Sequence, residues 1–173
     1  MSRNIRGIDH VGITVPNMEE ATLFFKEAFE AEFVYDNLKK EDKPRTGELV
    51  EKRFDMDSGG KETEIRMITI GNSCSIELFC FENTNQNEPA SPVDYGIQHI
   101  ALYVENIHKA VQQFEQAGGT LRTSPQKLSG EIESGAGNCF VYGKTPWGMT
   151  IELIAYPAGI QYPENSERKR WTP

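Results

Sequence analysis

Four side chains in this 173-residue chain have the types and spacing to act together, namely His10, Glu77, His99 and Glu152. Two imidazoles and two carboxylates make a mixed nitrogen and oxygen donor set, suited to one divalent ion of Zn, Ni, Co, Mn or Fe. No Cys or Met stands at equivalent places, so softer metals are not expected. Each glutamate sits mid-strand between isoleucine and leucine, in Ile76-Glu77-Leu78 and Ile151-Glu152-Leu153. An ionised carboxylate there is costly to bury unless paired or metal-bound. Taken singly, each residue has a plainer reading: His10 capping a neighbouring group, Glu77 pairing with Arg66, either one as a structural residue.

The spacing comes from a repeat, which sets the architecture. Gly7-Ile8-Asp9-His10-Val11-Gly12-Ile13-Thr14-Val15 matches Gly96-Ile97-Gln98-His99-Ile100-Ala101-Leu102-Tyr103-Val104, displaced by 89 residues. The register continues through Asn17/Asn106, Ala21/Ala110, Phe25/Phe114 and Ala28/Ala117. Ser75-Ile76-Glu77-Leu78 matches Thr150-Ile151-Glu152-Leu153 at a displacement of 75. The first copy therefore carries 14 more residues between its histidine and its glutamate.

The elements that must position these residues follow from periodicity. Residues 7–15 and 96–104 alternate as half-buried strands. Asn17, with Glu20 three positions on, caps a helix whose apolar face is Ala21, Phe24, Phe25, Ala28 and Phe29. Asn106 caps a second helix with Ile107, Ala110, Val111, Phe114 and Ala117, closed by Gly118-Gly119. Further strands are expected near 65–70, 74–81, 120–123, 138–142 and 149–155, with turns at Gly59-Gly60 and Thr145-Pro146-Trp147-Gly148. Each copy reads as a βαβββ module, over 7–83 and 96–156, within one α+β domain spanning 1–173. Period-two logic turns Val11, Ile13 and Val15, like Ile100, Leu102 and Val104, toward the helices. His10, Gly12 and Thr14, like His99, Ala101 and Tyr103, face the other way, together with Glu77 and Glu152. The expected result is a cup-like sheet with helices outside and four donors within. Residues 36–64 are rich in charge and read as an exposed insertion, in part a hairpin or flap. Residues 157–173 read as a tail with little regular structure, and His108, in the first turn of the second helix, as a surface residue.

The bulk numbers exclude other classes. Eighteen Lys and Arg against 26 Asp and Glu give a formal charge of −8. Such a field disfavours nucleic acid and anionic membranes as partners. The basic cluster Arg168-Lys169-Arg170 reads as a solvated tail. No apolar run is long enough to span a bilayer, and the polar start, residues 1–6, has no apolar stretch behind it, so no secretory signal is expected. Cys74, Cys80 and Cys139 lack CxxC spacing and read as reduced, buried thiols of a cytoplasmic protein.

Over most of residues 7–156 the sequence resembles the glyoxalase/bleomycin resistance/dioxygenase superfamily, the vicinal oxygen chelate proteins. The resemblance is carried by Ile8-Asp9-His10-Val11-Gly12-Ile13, Ile76-Glu77-Leu78, Gly96-Ile97-Gln98-His99-Ile100-Ala101 and Pro146-Trp147-Gly148-Met149-Thr150-Ile151-Glu152-Leu153. It implies eight strands in two tandem modules, with the metal in the cleft they form. It implies His10, Glu77, His99 and Glu152 in the four ligand places of metal-dependent glyoxalase I and of methylmalonyl-CoA epimerase-like members. The implied reaction is glyoxalase I-like lyase or isomerase chemistry: the metal polarises vicinal oxygens of a small substrate, and Glu152 or Glu77, or both in turn, moves a carbon-bound proton. A thiol-conjugated α-hydroxycarbonyl is the implied substrate and a homodimer the implied assembly. One fold hosts many chemistries, so three alternatives stand beside it: an acyl-CoA epimerase, an Fe(II) extradiol dioxygenase, and a non-enzymatic small-molecule binder of the bleomycin-resistance kind.

Overall fold

The computed structural model describes residues 4–172. Residues 1–3, from the polar start, and 173, from the tail, lie outside the described residues. The chain divides into two compact units, Met1–Asn87 and Glu88–Pro173, and each contains one copy of the repeat.

In the first unit, β1 (His10–Thr14) is followed by α1 (Met18–Phe29), β2 (Glu32–Leu38), α2 (Glu48–Phe54), β3 (Lys61–Thr69) and β4 (Ser75–Glu82). The sheet order is β1-β4-β3-β2, with β1 parallel to β4 and the other pairs antiparallel. The Asn17 side chain accepts from the backbone N–H of Glu19 and Glu20, satisfying two donors that the first helical turn leaves free. Ala21, Phe24, Phe25 and Ala28 are buried, as the helical spacing requires. The face of β4 that carries Ile76, Leu78 and Cys80 is closed, and its register partner Arg66 reaches Thr22 and Glu19 of α1. α1 therefore covers that face of the sheet.

In the second unit, β5 (Ile100–Tyr103) leads to α3 (Ile107–Gln116), β6 (Thr120–Leu121), β7 (Gln126–Lys127), α4 (Gly130–Glu133), β8 (Cys139–Lys144) and β9 (Thr150–Ala155). Its sheet order is β5-β9-β8-β6, with β7 also paired to β8. Asn106 caps α3 by accepting from Lys109 N–H, and the chain leaves the helix through Gly118, whose φ of +98° suits glycine. Phe114 and its repeat partner Phe25 are each 1% exposed; fully burying such a side chain contributes roughly 1.5–3 kcal/mol. Phe114 fits because Gly143 has no side chain: a Cβ there would lie 2.5 Å from the Phe114 ring. The Thr145–Gly148 turn closes with Gly148 N–H donating to Thr145 O at 2.9 Å.

Four expectations change. The α+β class and paired modules hold, but the described residues form nine strands, not eight, because β6 and β7 are separate short partners of β8. The stretch 36–64 is no exposed insertion throughout: it contains α2 and the ends of β2 and β3, and buries Leu38, Val50 and Glu62. The basic tail is not simply solvated. Arg170 pairs with Glu133 at 3.2 Å, and its guanidinium lies 5.2 Å from the Tyr156 ring centre. Of the three thiols only Cys80 is buried; Cys74 is exposed and Cys139 half-buried. Cys74 sits in a short turn before β4, where no element covers it. No helix among the described residues is long and apolar enough to cross a membrane.

Candidate metal-binding pairs

The parallel pairing of β1 with β4 places Gly12 opposite Glu77, and that of β5 with β9 places Ala101 opposite Glu152. Each histidine is two residues before that small partner, on the same face, so it meets the glutamate diagonally across the strands. Gly12 and Ala101, the register partners of the glutamates, put little or no side chain between imidazole and carboxylate. His10 Nε2 is 3.3 Å from Glu77 Oε2, and His99 Nε2 is 2.9 Å from Glu152 Oε2. The repeat thus builds the same pair twice.

The second nitrogen of each ring is held by the preceding residue. His10 Nδ1 is 2.8 Å from Asp9 Oδ2, and His99 Nδ1 is 2.8 Å from Gln98 Oε1. Gln98 donates its amide N–H to Pro92 O at 2.6 Å, which turns Oε1 toward the ring. A carboxylate or amide oxygen can only accept, so each Nδ1 carries the proton. That aims Nε2 at a carboxylate oxygen, 3.3 Å away in one pair and 2.9 Å in the other. A proton or a metal ion between the two atoms suits these separations.

His10 and Glu152 each hold a proton more tightly than usual. The hydrogen bond to Asp9 is the main reason that His10 holds its proton above the usual imidazole range; burial opposes this and the Glu77 charge assists it. Burial pushes the Glu152 carboxyl up, against the pull of His99. Tyr142, the cross-strand neighbour of Glu152, lies edge-on to His99 with ring centres 5.1 Å apart, and is itself raised by burial and by the Glu152 charge.

A divalent ion suits these donors. With bonds of about 2.1 Å, two ligand atoms stand roughly 3 Å apart in an octahedral site and about 3.4 Å apart in a tetrahedral one, and the observed separations are 3.3 and 2.9 Å. Each unit supplies one nitrogen and one oxygen; no group of three or more candidate ligands is found among the described residues.

Arg66 pairs with Asp36 at 2.7 Å and Glu19 at 2.9 Å and is opposite Leu78 in the register, so it is not the partner of Glu77. His10 does bond a neighbour, Asp9, but through the nitrogen turned away from Glu77. His108 is exposed on α3. Asp9, Gln98 and Tyr142 were missed by sequence reasoning; the first two stood in plain view before each histidine of the repeat, whereas Tyr142 needed the β8–β9 register.

Comparison with known proteins identifies the family of the chain. A family model described as the Glyoxalase/Bleomycin resistance protein/Dioxygenase superfamily matches residues 7–153. A curated protein named 2-epi-5-epi-valiolone epimerase, from Actinomyces sp., is 30% identical over 96% of this chain and 88% of its own. Among solved structures, a glyoxalase family protein from Bacillus cereus superposes with a TM-score of 0.67 at 20% identity, over 88% of this chain and 95% of that one. The fosfomycin resistance protein FosX from Listeria monocytogenes, complexed with Mn(II) and sulfate, reaches 0.54 at 15% identity, over 87% and 93%.

Proposed function

This chain belongs to the glyoxalase/bleomycin resistance protein/dioxygenase superfamily, and on that premise we propose that it is a metal-dependent isomerase of the epimerase kind. It inverts a stereocentre next to a carbonyl in a small substrate. One divalent ion is held by His10, Glu77, His99 and Glu152, from one chain or from two copies in a homodimer. When bound, the ion supplies electrophilic stabilisation of negative charge on the substrate oxygen.

The observation that carries this reading is the repeated pair: Asp9 or Gln98 bonds one nitrogen of each imidazole, and the other nitrogen faces a glutamate oxygen at 3.3 or 2.9 Å. Asp9 and Gln98 fix which nitrogen faces the ion. Inversion needs one group to take the carbon-bound proton and another to return it. Glu152, whose basicity burial increases, takes the proton on a carboxylate oxygen; Glu77 serves the return. General acid–base action of this kind contributes about 10²–10⁴-fold.

The epimerase relative supports the isomerase over the glyoxalase I-like lyase, although both begin with the same proton step. The dioxygenase reading is disfavoured, since the chain has three histidines and the one outside the pairs, His108, is exposed on α3. The test is elemental analysis of protein purified without added metal, followed by proton NMR of 2-epi-5-epi-valiolone in deuterium oxide. The expected result is bound divalent metal and solvent exchange of the proton next to the carbonyl, lost on chelation and restored by Mn(II). A protein with no affinity for divalent metal would end the proposal.

A further inference from the structure

Glu77, Phe79 and Phe81 alternate along one face of β4, the face opposite α1. α2 packs on that same face. The Phe54 ring centre lies 5.8 Å from that of Phe79 and 5.0 Å from that of Phe81, while Phe79 and Phe81 stack within 5° of parallel at 5.9 Å. Phe79 also reaches over Gly12, where a Cβ would stand 3.4 Å from its ring, and Gly12 is the register partner of Glu77. The aromatic cluster therefore begins one strand step from the His10–Glu77 pair. All three rings are half-buried and keep accessible surface.

α2 has seven residues, too short to persist on its own, and it is tied at both ends. Arg45 and Glu62 exchange backbone hydrogen bonds at 3.0 Å, and the Arg45 guanidinium reaches the buried Glu62 carboxylate at 3.4 Å and Asn37 O at 3.1 Å. After the helix, Asp57 accepts from Asn85 N–H at 2.7 Å and Asn83 donates to Gly59 O at 2.8 Å. The segment is fastened to β3 and to the end of β4.

We propose that Phe54, Phe79 and Phe81 form a fixed wall beside His10 and Glu77 that takes the C–H face of a ring-shaped, uncharged, oxygenated substrate. The inference rests on the isomerase reading above and names its substrate class. An aromatic face is electron-rich, and C–H bonds beside oxygen-bearing carbons are weak donors to it. A ring that lays one face on the wall turns its carbonyl and hydroxyl edge toward the donor pair. An open-chain ketone has no such face to offer.

The test uses the full chain loaded with Mn(II) and titrated calorimetrically with 2-epi-5-epi-valiolone and, separately, with dihydroxyacetone as an open-chain probe. Phe54→Ala and Phe79→Leu are compared with wild type; Phe79→Leu keeps an apolar side chain under α2, and Phe54→Trp restores a ring. The expected result is about tenfold weaker binding of the ring ketone in both deletions, near the upper end of an aromatic contact. Recovery is expected in Phe54→Trp, with dihydroxyacetone unaffected. Mn(II) affinity, read by electron paramagnetic resonance, should stay within twofold. Unchanged ring-ketone affinity in Phe79→Leu, or wild type that does not bind the ring ketone, overturns the wall. Tight binding that weakens in the variants without proton exchange in deuterium oxide supports the wall and overturns the isomerase alone.

Discussion

Gln98 holds His99: its Oε1 accepts from Nδ1 at 2.8 Å while its amide is anchored on Pro92 O at 2.6 Å. Asp9 does the same for His10, also at 2.8 Å, but its side chain is 94% exposed. The anchored partner restricts its ring more than the exposed one. Gln98→Leu is expected to weaken divalent metal binding about 10–100-fold, the usual effect of removing an outer-shell partner. Asp9→Leu should cost less. Titration with Mn(II) ranks the two, and equal affinities in wild type and Gln98→Leu would show that His99 needs no such support.

Glu152→Gln keeps the volume and removes the base. The Glu152 side chain is 10% exposed and has His99 as neighbour at 2.9 Å, and the amide can still hydrogen-bond His99 Nε2, so folding should be intact. Proton exchange on the ketone substrate is expected to fall about 10²–10⁴-fold with an unchanged circular dichroism spectrum. If exchange persists at the wild-type rate, Glu152 does not move the proton.

Much of this was legible in the sequence because the repeat is written in residue types that fold cannot hide. The caps Asn17 and Asn106, the buried stripe of α1, and the alternation that puts Glu77 opposite Ile76 and Leu78 all follow from local rules. The His–Glu neighbours were legible for the same reason: a constant register in two copies means a constant geometry. α2 was not, because Glu48 to Arg53 is charged and its anchors are distant in sequence. Arg45 meets Glu62 and Phe54 meets Phe81 through packing that no short-range period announces. The ordering of Arg170 was hidden likewise, since its partners Glu133 and Tyr156 come from elements far along the chain.

Cys80 lies under α1 and donates to Val15 O at 3.4 Å; burial pushes its thiol up from 9.0 to about 11. In the unfolded chain the same thiol ionises near 9.0. Between these values the folded state holds the extra proton, so stability is full below about pH 9 and falls as pH rises toward 11. Two pH units correspond to about 2–3 kcal/mol. Thermal unfolding followed at pH 8 and pH 10.5 should show the loss, reduced in Cys80→Ala. Native alkylation at pH 8 should label Cys74 first, Cys139 more slowly and Cys80 last. Early labelling of Cys80 would mean that the space beneath α1 is open.

Arg66 binds Asp36 through Nε at 2.7 Å, Glu19 through a terminal nitrogen at 2.9 Å and Thr22 through the other at 3.0 Å. Its guanidinium also lies 5.6 Å from the Phe33 ring centre, and its side chain is 13% exposed. Three elements, α1, β2 and β3, converge on this one side chain. Removing it leaves Asp36, itself 16% exposed, without its counter-charge; breaking a mostly buried pair in this way costs about 3–5 kcal/mol, less where solvent reaches it. Arg66→Ala is therefore expected to lower the unfolding midpoint in urea markedly. Because Arg66 and Glu77 emerge on opposite faces of the sheet, metal affinity of the folded variant should match wild type. A large loss of Mn(II) binding at unchanged stability would place Arg66 on the side of the donor pair and contradict the assignment of faces from which the site was built.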